Sequence, residues 1–215
     1  MRPSAKRTWR RIFVLPGCCN VSYKSAPAEL LAAAAGPIEK WCDGWYLFGA
    51  QAVVIWGRPR LTADVDVTIR LRSDDTASFW HDMEKAGFHL RVPEPEPFLA
   101  RTRVLPFLHV PTQLPLDVVL AGPGIEDRFI ERAVRIEIEG LSVPVASPED
   151  LIVMKVLAGR PKDLEDVRSV LMERLTKLDV AYIRSMLGTL EQALGQSDLL
   201  PLLESEIARV ERLLP

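Results

Sequence analysis

The chain has 215 residues, 48% of them hydrophobic and 26% charged, and a formal net charge of −2. This is the composition of a soluble globular protein holding one medium domain, or one domain with a helical extension. It offers no overall positive charge for general nucleic-acid binding, and no apolar run reaches the ~18 residues that a membrane span requires.

Residues 1–25 read as an irregular N-terminal arm carrying Arg2, Lys6, Arg7, Arg10 and Arg11, most simply a solvated basic tail. Leu15-Pro16-Gly17-Cys18 has the look of a lipoprotein cleavage box. The apolar stretch before it, Ile12 to Leu15, falls short of the roughly 7 residues a secretory core needs. Cys18, Cys19 and Cys42 show no metal-ligand spacing, and so low and odd a count points to a reducing compartment, the cytoplasm.

Pro27 to Cys42 reads as a helix with a break or kink at Gly36-Pro37. Asp43-Gly44 reads as a turn, Trp45 to Phe48 as a short strand ended by Gly49, and Ala50 to Trp56 as a helix closed by Gly57. A strand is expected at Val65 to Leu71, with Asp64 at its entry. An amphipathic helix follows at 74–86 and a strand at Phe88 to Val92. The run PEPEP at 93–97 reads as a loop or sheet edge, because proline cannot serve a central ladder. Strands are expected at about 100–110 and 116–120, and a hairpin joins Arg135–Ile138 to Leu141–Val145. Ser147-Pro148-Glu149-Asp150 has the form of a helix start: a serine cap, proline in the first turn, then acids at the positive end of the helix dipole. Helices at about 148–158, 162–175, 179–194 and 197–213 complete the chain. The fold class is therefore α/β (α+β): an antiparallel or mixed sheet with helices over 26–146, then a C-terminal helical bundle over 147–215.

The chemistry concentrates in YLFGAQAVVIWGRPRLTADVDVTIRL, residues 46–71. A strand that ends in glycine and runs into a helix presents free N–H groups and a positive dipole end, which suit a phosphate. Asp64 and Asp66 alternate on a strand, so both carboxylates share one face while Val65 and Val67 face the other. Like charges that close need a cation, and oxygen-only ligands favour a hard one such as Mg²⁺. Asp117 interrupts the apolar strand LPLDVVLA, a costly place for a carboxylate without a partner or metal. The three acids converge if its strand lies beside 64–70.

Taken in order, these features resemble the signature of the nucleotidyltransferase superfamily. Within it, FGAQAVVIWGRPRLTADVDV and the downstream SPEDLIVMKVLAGRPKDLEDV (147–167) are similar to the minimal branch that includes AbiEii-type toxins of type IV toxin–antitoxin systems. The resemblance implies Gly49 and Ala50 at a phosphate-contacting turn and Asp64 and Asp66 as metal ligands. It makes Asp117 the third acid, either a ligand or the general base. Lys155 would point to the triphosphate of an NTP donor, with Asp163 and Asp166 in the acidic run behind it and Asp163 orienting Lys155 or a substrate group. Two Mg²⁺ ions, a hydroxyl acceptor (small molecule, RNA or protein) and a cognate antitoxin follow as expectations. Many active members carry Ser or Gly where this chain has Ala50, so an inactive nucleotide-binding or interaction module of the same fold stands as the alternative. Arg58 and Arg60 read as exposed loop arginines and Thr62 as structural. His81, His89 and His109 have no role, and the tryptophans belong to the core.

Overall fold

A computed structural model describes residues 24–62, 64–73 and 75–214. The basic arm, the Leu15–Cys18 box, Cys18 and Cys19 lie outside the described residues. Among the described residues seven strands form one mixed sheet: β1 (Cys42–Phe48), β2 (Val65–Leu71), β3 (Phe88–Leu90), β4 (Val104–His109), β5 (Leu114–Leu120), β6 (Val134–Ile138) and β7 (Leu141–Val145). Their spatial order is β3-β4-β5-β2-β1-β7-β6. β2 runs parallel to β5 and β1 parallel to β7, and the remaining neighbours are antiparallel.

The helices are α1 (Ala26–Trp41), α2 (Gly49–Trp56), α3 (Thr76–Lys85), α4 (Pro95–Thr102), α5 (Ile125–Arg132), α6 (Pro148–Ala158), α7 (Pro161–Arg174), α8 (Val180–Leu194) and α9 (Leu199–Glu211). α2 is the joint between sheet and C-terminal helices. It packs on β1 and β2 and also on α6 and α7, and Trp56 Nε1 donates to the Ala146 carbonyl at 2.7 Å. One buried apolar cluster runs from Leu30 and Ile38 through Val67 and Val118 to Val153, Val170 and Leu203.

Four local expectations need correction. α1 is not broken at Gly36-Pro37 but continues through it as one helix. Asp43-Gly44 is part of β1, where the register shifts between Cys42 and Gly44; the extra residue of a bulge, not a turn, uses the small side chain there. Much of PEPEP lies in the first turn of α4, where proline is welcome because first-turn N–H groups have no helical partner. The strand expected from residue 100 accordingly begins at Val104. α5, which the sequence reading passed over, starts after Gly124 with Asp127 accepting from the Gly124 N–H at 3.1 Å. The Ser147 cap is as expected: its hydroxyl accepts from the Asp150 N–H at 3.1 Å.

Candidate active site

β2 alternates as the sequence implies. Val65, Val67 and Ile69 are buried, while Asp66 stands on the opposite face, half-buried. β5 does the same with Leu116 and Val118 flanking Asp117. Because β2 and β5 are parallel neighbours, Asp66 pairs in register with Asp117, and residues opposite each other on adjacent strands project to the same face. Asp64 lies just before β2 and is exposed. On the other side of β2, Asp66 pairs with Phe48, the last residue of β1.

The chain then turns into α2 through Gly49, whose φ is +63°. A Cβ on Gly49 would stand 2.0 Å from Asp66 Oδ2. Only glycine satisfies both the left-handed backbone and this approach. The Ala50 N–H at the start of α2 lies toward the Asp66 carboxylate and favours its charged form, so the helix N-terminus already faces negative charge. Asp66 is pushed up to about 6, first by burial, then by the charges of Asp117 and Asp64; Lys155 and the Ala50 N–H offset part of this.

The opposite wall comes from α6 and α7. Lys155 Nζ donates to Asp163 Oδ1 at 2.7 Å and to Asp166 Oδ2 at 2.8 Å. Arg60 forms a two-pronged pair with Asp166, at 2.9 and 3.0 Å, and Arg160 Nε reaches Asp163 Oδ2 at 2.5 Å. Both aspartate side chains are 3% exposed and Lys155 is 12% exposed. This acidic run is thus a buried alternating network rather than a solvated helix start. Arg60 is a partner of Asp166, not a free loop arginine.

These elements enclose a cleft of ≈ 380 Å³ lined by Gly49, Ala50, Asp64, Asp66, Asp117, Lys155 and Asp163, together with Arg60, Arg160 and Lys162. Every residue expected at the site except Asp166, which stands behind Lys155, lines it. A cavity of ≈ 450 Å³ lies at the far end of β1, around Cys42–Trp45, away from the acids. Sequence reasoning missed Arg91, which follows β3 and ion-pairs with Asp117. Nothing in the local sequence marks that contact, because it spans two strand crossings.

A donor set of three carboxylates suits a hard divalent cation, and beyond its burial Asp66 is pushed up by the neighbouring charges of Asp117 and Asp64, which such a cation would offset. Among the described residues no three acidic, imidazole or thiolate side chains are gathered closely enough to hold an ion as they stand. Asp64 points into an exposed position and Asp117 is engaged by Arg91. The oxygen-only donor set of Asp64, Asp66 and Asp117 fits such a cation.

Residues 44–195 match the model of a family described as "Nucleotidyltransferase of unknown function (DUF6036)". No curated protein matches the chain. Among solved structures, the chain is similar to the antibiotic-resistance factor ANT(2'')-Ia in solution, at TM-score 0.53 and 15% identity over 79% of this chain and 91% of that one. A crystal structure of ANT(2'')-Ia with adenylyl-2''-tobramycin gives TM-score 0.51 and 16% identity, covering 77% and 95%. An antigenic nucleotidyltransferase-like protein from Paracoccidioides brasiliensis gives TM-score 0.49 and 17% identity, covering 84% and 94%. Among the described residues no helix is long and apolar enough to cross a membrane.

Proposed function

The chain belongs to this nucleotidyltransferase family, and on that premise we propose that it transfers a nucleoside monophosphate from an NTP to a hydroxyl acceptor, using Mg²⁺ held by Asp64, Asp66 and Asp117. The observation that carries this reading is the in-register pairing of Asp66 with Asp117 beside the Gly49 turn. It sets two carboxylates on one face at the mouth of a helix N-terminus.

The protein's own groups divide the work. The N–H groups opening α2 and the cationic wall of Lys155, Arg60, Arg160 and Lys162 bind and orient the triphosphate. Asp163 and Asp166 hold the Lys155 ammonium in place from behind. Asp64, Asp66 and Asp117 would hold divalent cations, which when bound would supply charge neutralisation for the transfer. The acceptor oxygen bonds to the α-phosphorus as the α–β bridging bond breaks, pyrophosphate leaves, and the hydroxyl proton passes to a carboxylate of the site or to water. Ala50 keeps the backbone donor that phosphate needs and lacks only a hydroxyl. A cytoplasmic setting supplies both NTP and Mg²⁺.

The test uses purified protein, Mg²⁺, α-labelled NTPs and a panel of acceptors that includes aminoglycosides, tRNA and protein. Label transfer by the wild type, abolished in Asp64→Ala and Asp66→Ala, is the expected result. Equal transfer by those variants would refute the site. Nucleotide binding by calorimetry without turnover on any acceptor would favour the inactive-module reading. Growth arrest on expression that Asp66→Ala relieves would assign the protein to the toxin–antitoxin subtype.

A further inference from the structure

β4 lies between β3 and β5, and Arg91 leaves the end of β3 to reach across it. Its backbone N–H donates to the Pro106 carbonyl at 2.8 Å. Its Nε donates to the Phe107 carbonyl at 3.1 Å, and an Nη2 proton goes to Asp117 Oδ1. Pro106 is the residue paired with Asp117 across the β4–β5 ladder. Arg91 is therefore anchored beside that carboxylate and does not meet it by a chance swing of a free side chain. Asp117 lines the cleft while Arg91 does not, so the guanidinium approaches from outside. Among the described residues neither Asp64 nor Asp66 has an ion-pair partner, whereas Asp117 has this one.

Asp66 and Asp117 pair at the site with Asp64 at its rim, and a single monovalent cation serves one of the three. We propose that Arg91 is the resident counter-cation of Asp117, and that binding of a divalent cation by the three acids displaces it. The proposal rests on the reading of those acids as cation ligands. Two positive groups sharing one carboxylate repel. The Arg91 side chain is 39% exposed, so its release into water costs little, and the ion pair it forms is of the weak, solvent-screened kind. Arg91 thus acts as a modest brake on cation binding, set by charge rather than by shape.

Mn²⁺ affinity of the nucleotide-free protein, measured by electron paramagnetic resonance, tests this. Arg91→Gln should bind Mn²⁺ about fivefold more tightly than wild type, the fold-change that loss of an exposed ion pair allows. Arg91→Lys, which keeps the charge, should stay close to wild type. In an Asp117→Asn background the Arg91→Gln gain should vanish. If wild type binds Mn²⁺ and Arg91→Gln binds equally or more weakly, or if Arg91→Lys matches Arg91→Gln, the counter-cation role is wrong while the acid site stands. If neither wild type nor Arg91→Gln binds Mn²⁺, both the role and the acid site are wrong.

Discussion

At the scale of single residues, Gly49 and Asp66 constrain each other. Gly49→Ala meets a left-handed backbone that costs about 1–2 kcal/mol for an L-residue, and its methyl would meet Asp66 Oδ2. It should lower stability by at least that amount and abolish transfer, as urea denaturation and the labelled-NTP assay would report. Asp66 carries the opposite balance. Its folded value of about 6 lies above the ordinary 3.8, so the folded chain holds the proton more tightly than the unfolded one. Its contribution is fully favourable below the unfolded value and is lost as pH rises through about 6. In EDTA, Asp66→Asn should therefore be more stable than wild type at pH 8, by on the order of 2 kcal/mol, and the two should converge near pH 4. Equal stability at pH 8 would mean the charge is compensated. Cys42 is buried and its thiol is pushed up to about 12, chiefly by that burial. It should resist thiol reagents at pH 8 in a protein lacking Cys18 and Cys19. The acids were legible in the sequence because a charge in an apolar strand is locally conspicuous. Arg60 and Arg91 were not, since their partners lie 106 and 26 residues away and an arginine, read in a loop as Arg60 or near a strand end as Arg91, looks the same with or without one.

At the scale of elements, the α6–α7 corner is held by a buried ion-pair network. Lys155→Met would leave Asp163 with Arg160 and Asp166 with Arg60. The loss should be about 2–3 kcal/mol, short of the ~3–5 kcal/mol for a buried charge stripped of its sole partner. Asp166→Asn should raise the KM for NTP although Asp166 does not line the cleft, because Lys155 and Arg60 both rest on it. Unchanged steady-state kinetics would deny it that positioning role. Elements with a clean period were readable: β2 has the bounds its alternation implies, and α6 begins at its serine cap. α4 was misread because proline signals both a strand edge and a first helical turn, and the two differ only in what packs around them. α5 is short and charged, and Phe129 is its one buried anchor, so its periodicity gives little to detect.

At the scale of the whole molecule, strand order creates the site. Asp66 and Asp117 are distant in sequence, and only the parallel β2–β5 pairing brings them together; the sequence shows both acids but not which strands adjoin. The C-terminal helices share the core of the sheet through α2. A fragment ending at residue 146 would uncover the side of α2 that packs on α6 and α7, and we expect it not to fold cooperatively, as urea denaturation would show. The proposed transfer depends on divalent cations held by the three acids. A crystal grown with Mn²⁺ and a non-hydrolysable NTP analogue, measured by anomalous diffraction, tests it most directly. The expected result is an anomalous peak bounded by Asp64, Asp66 and Asp117, with the triphosphate between it and Lys155. A bound analogue with no peak among these carboxylates would contradict it.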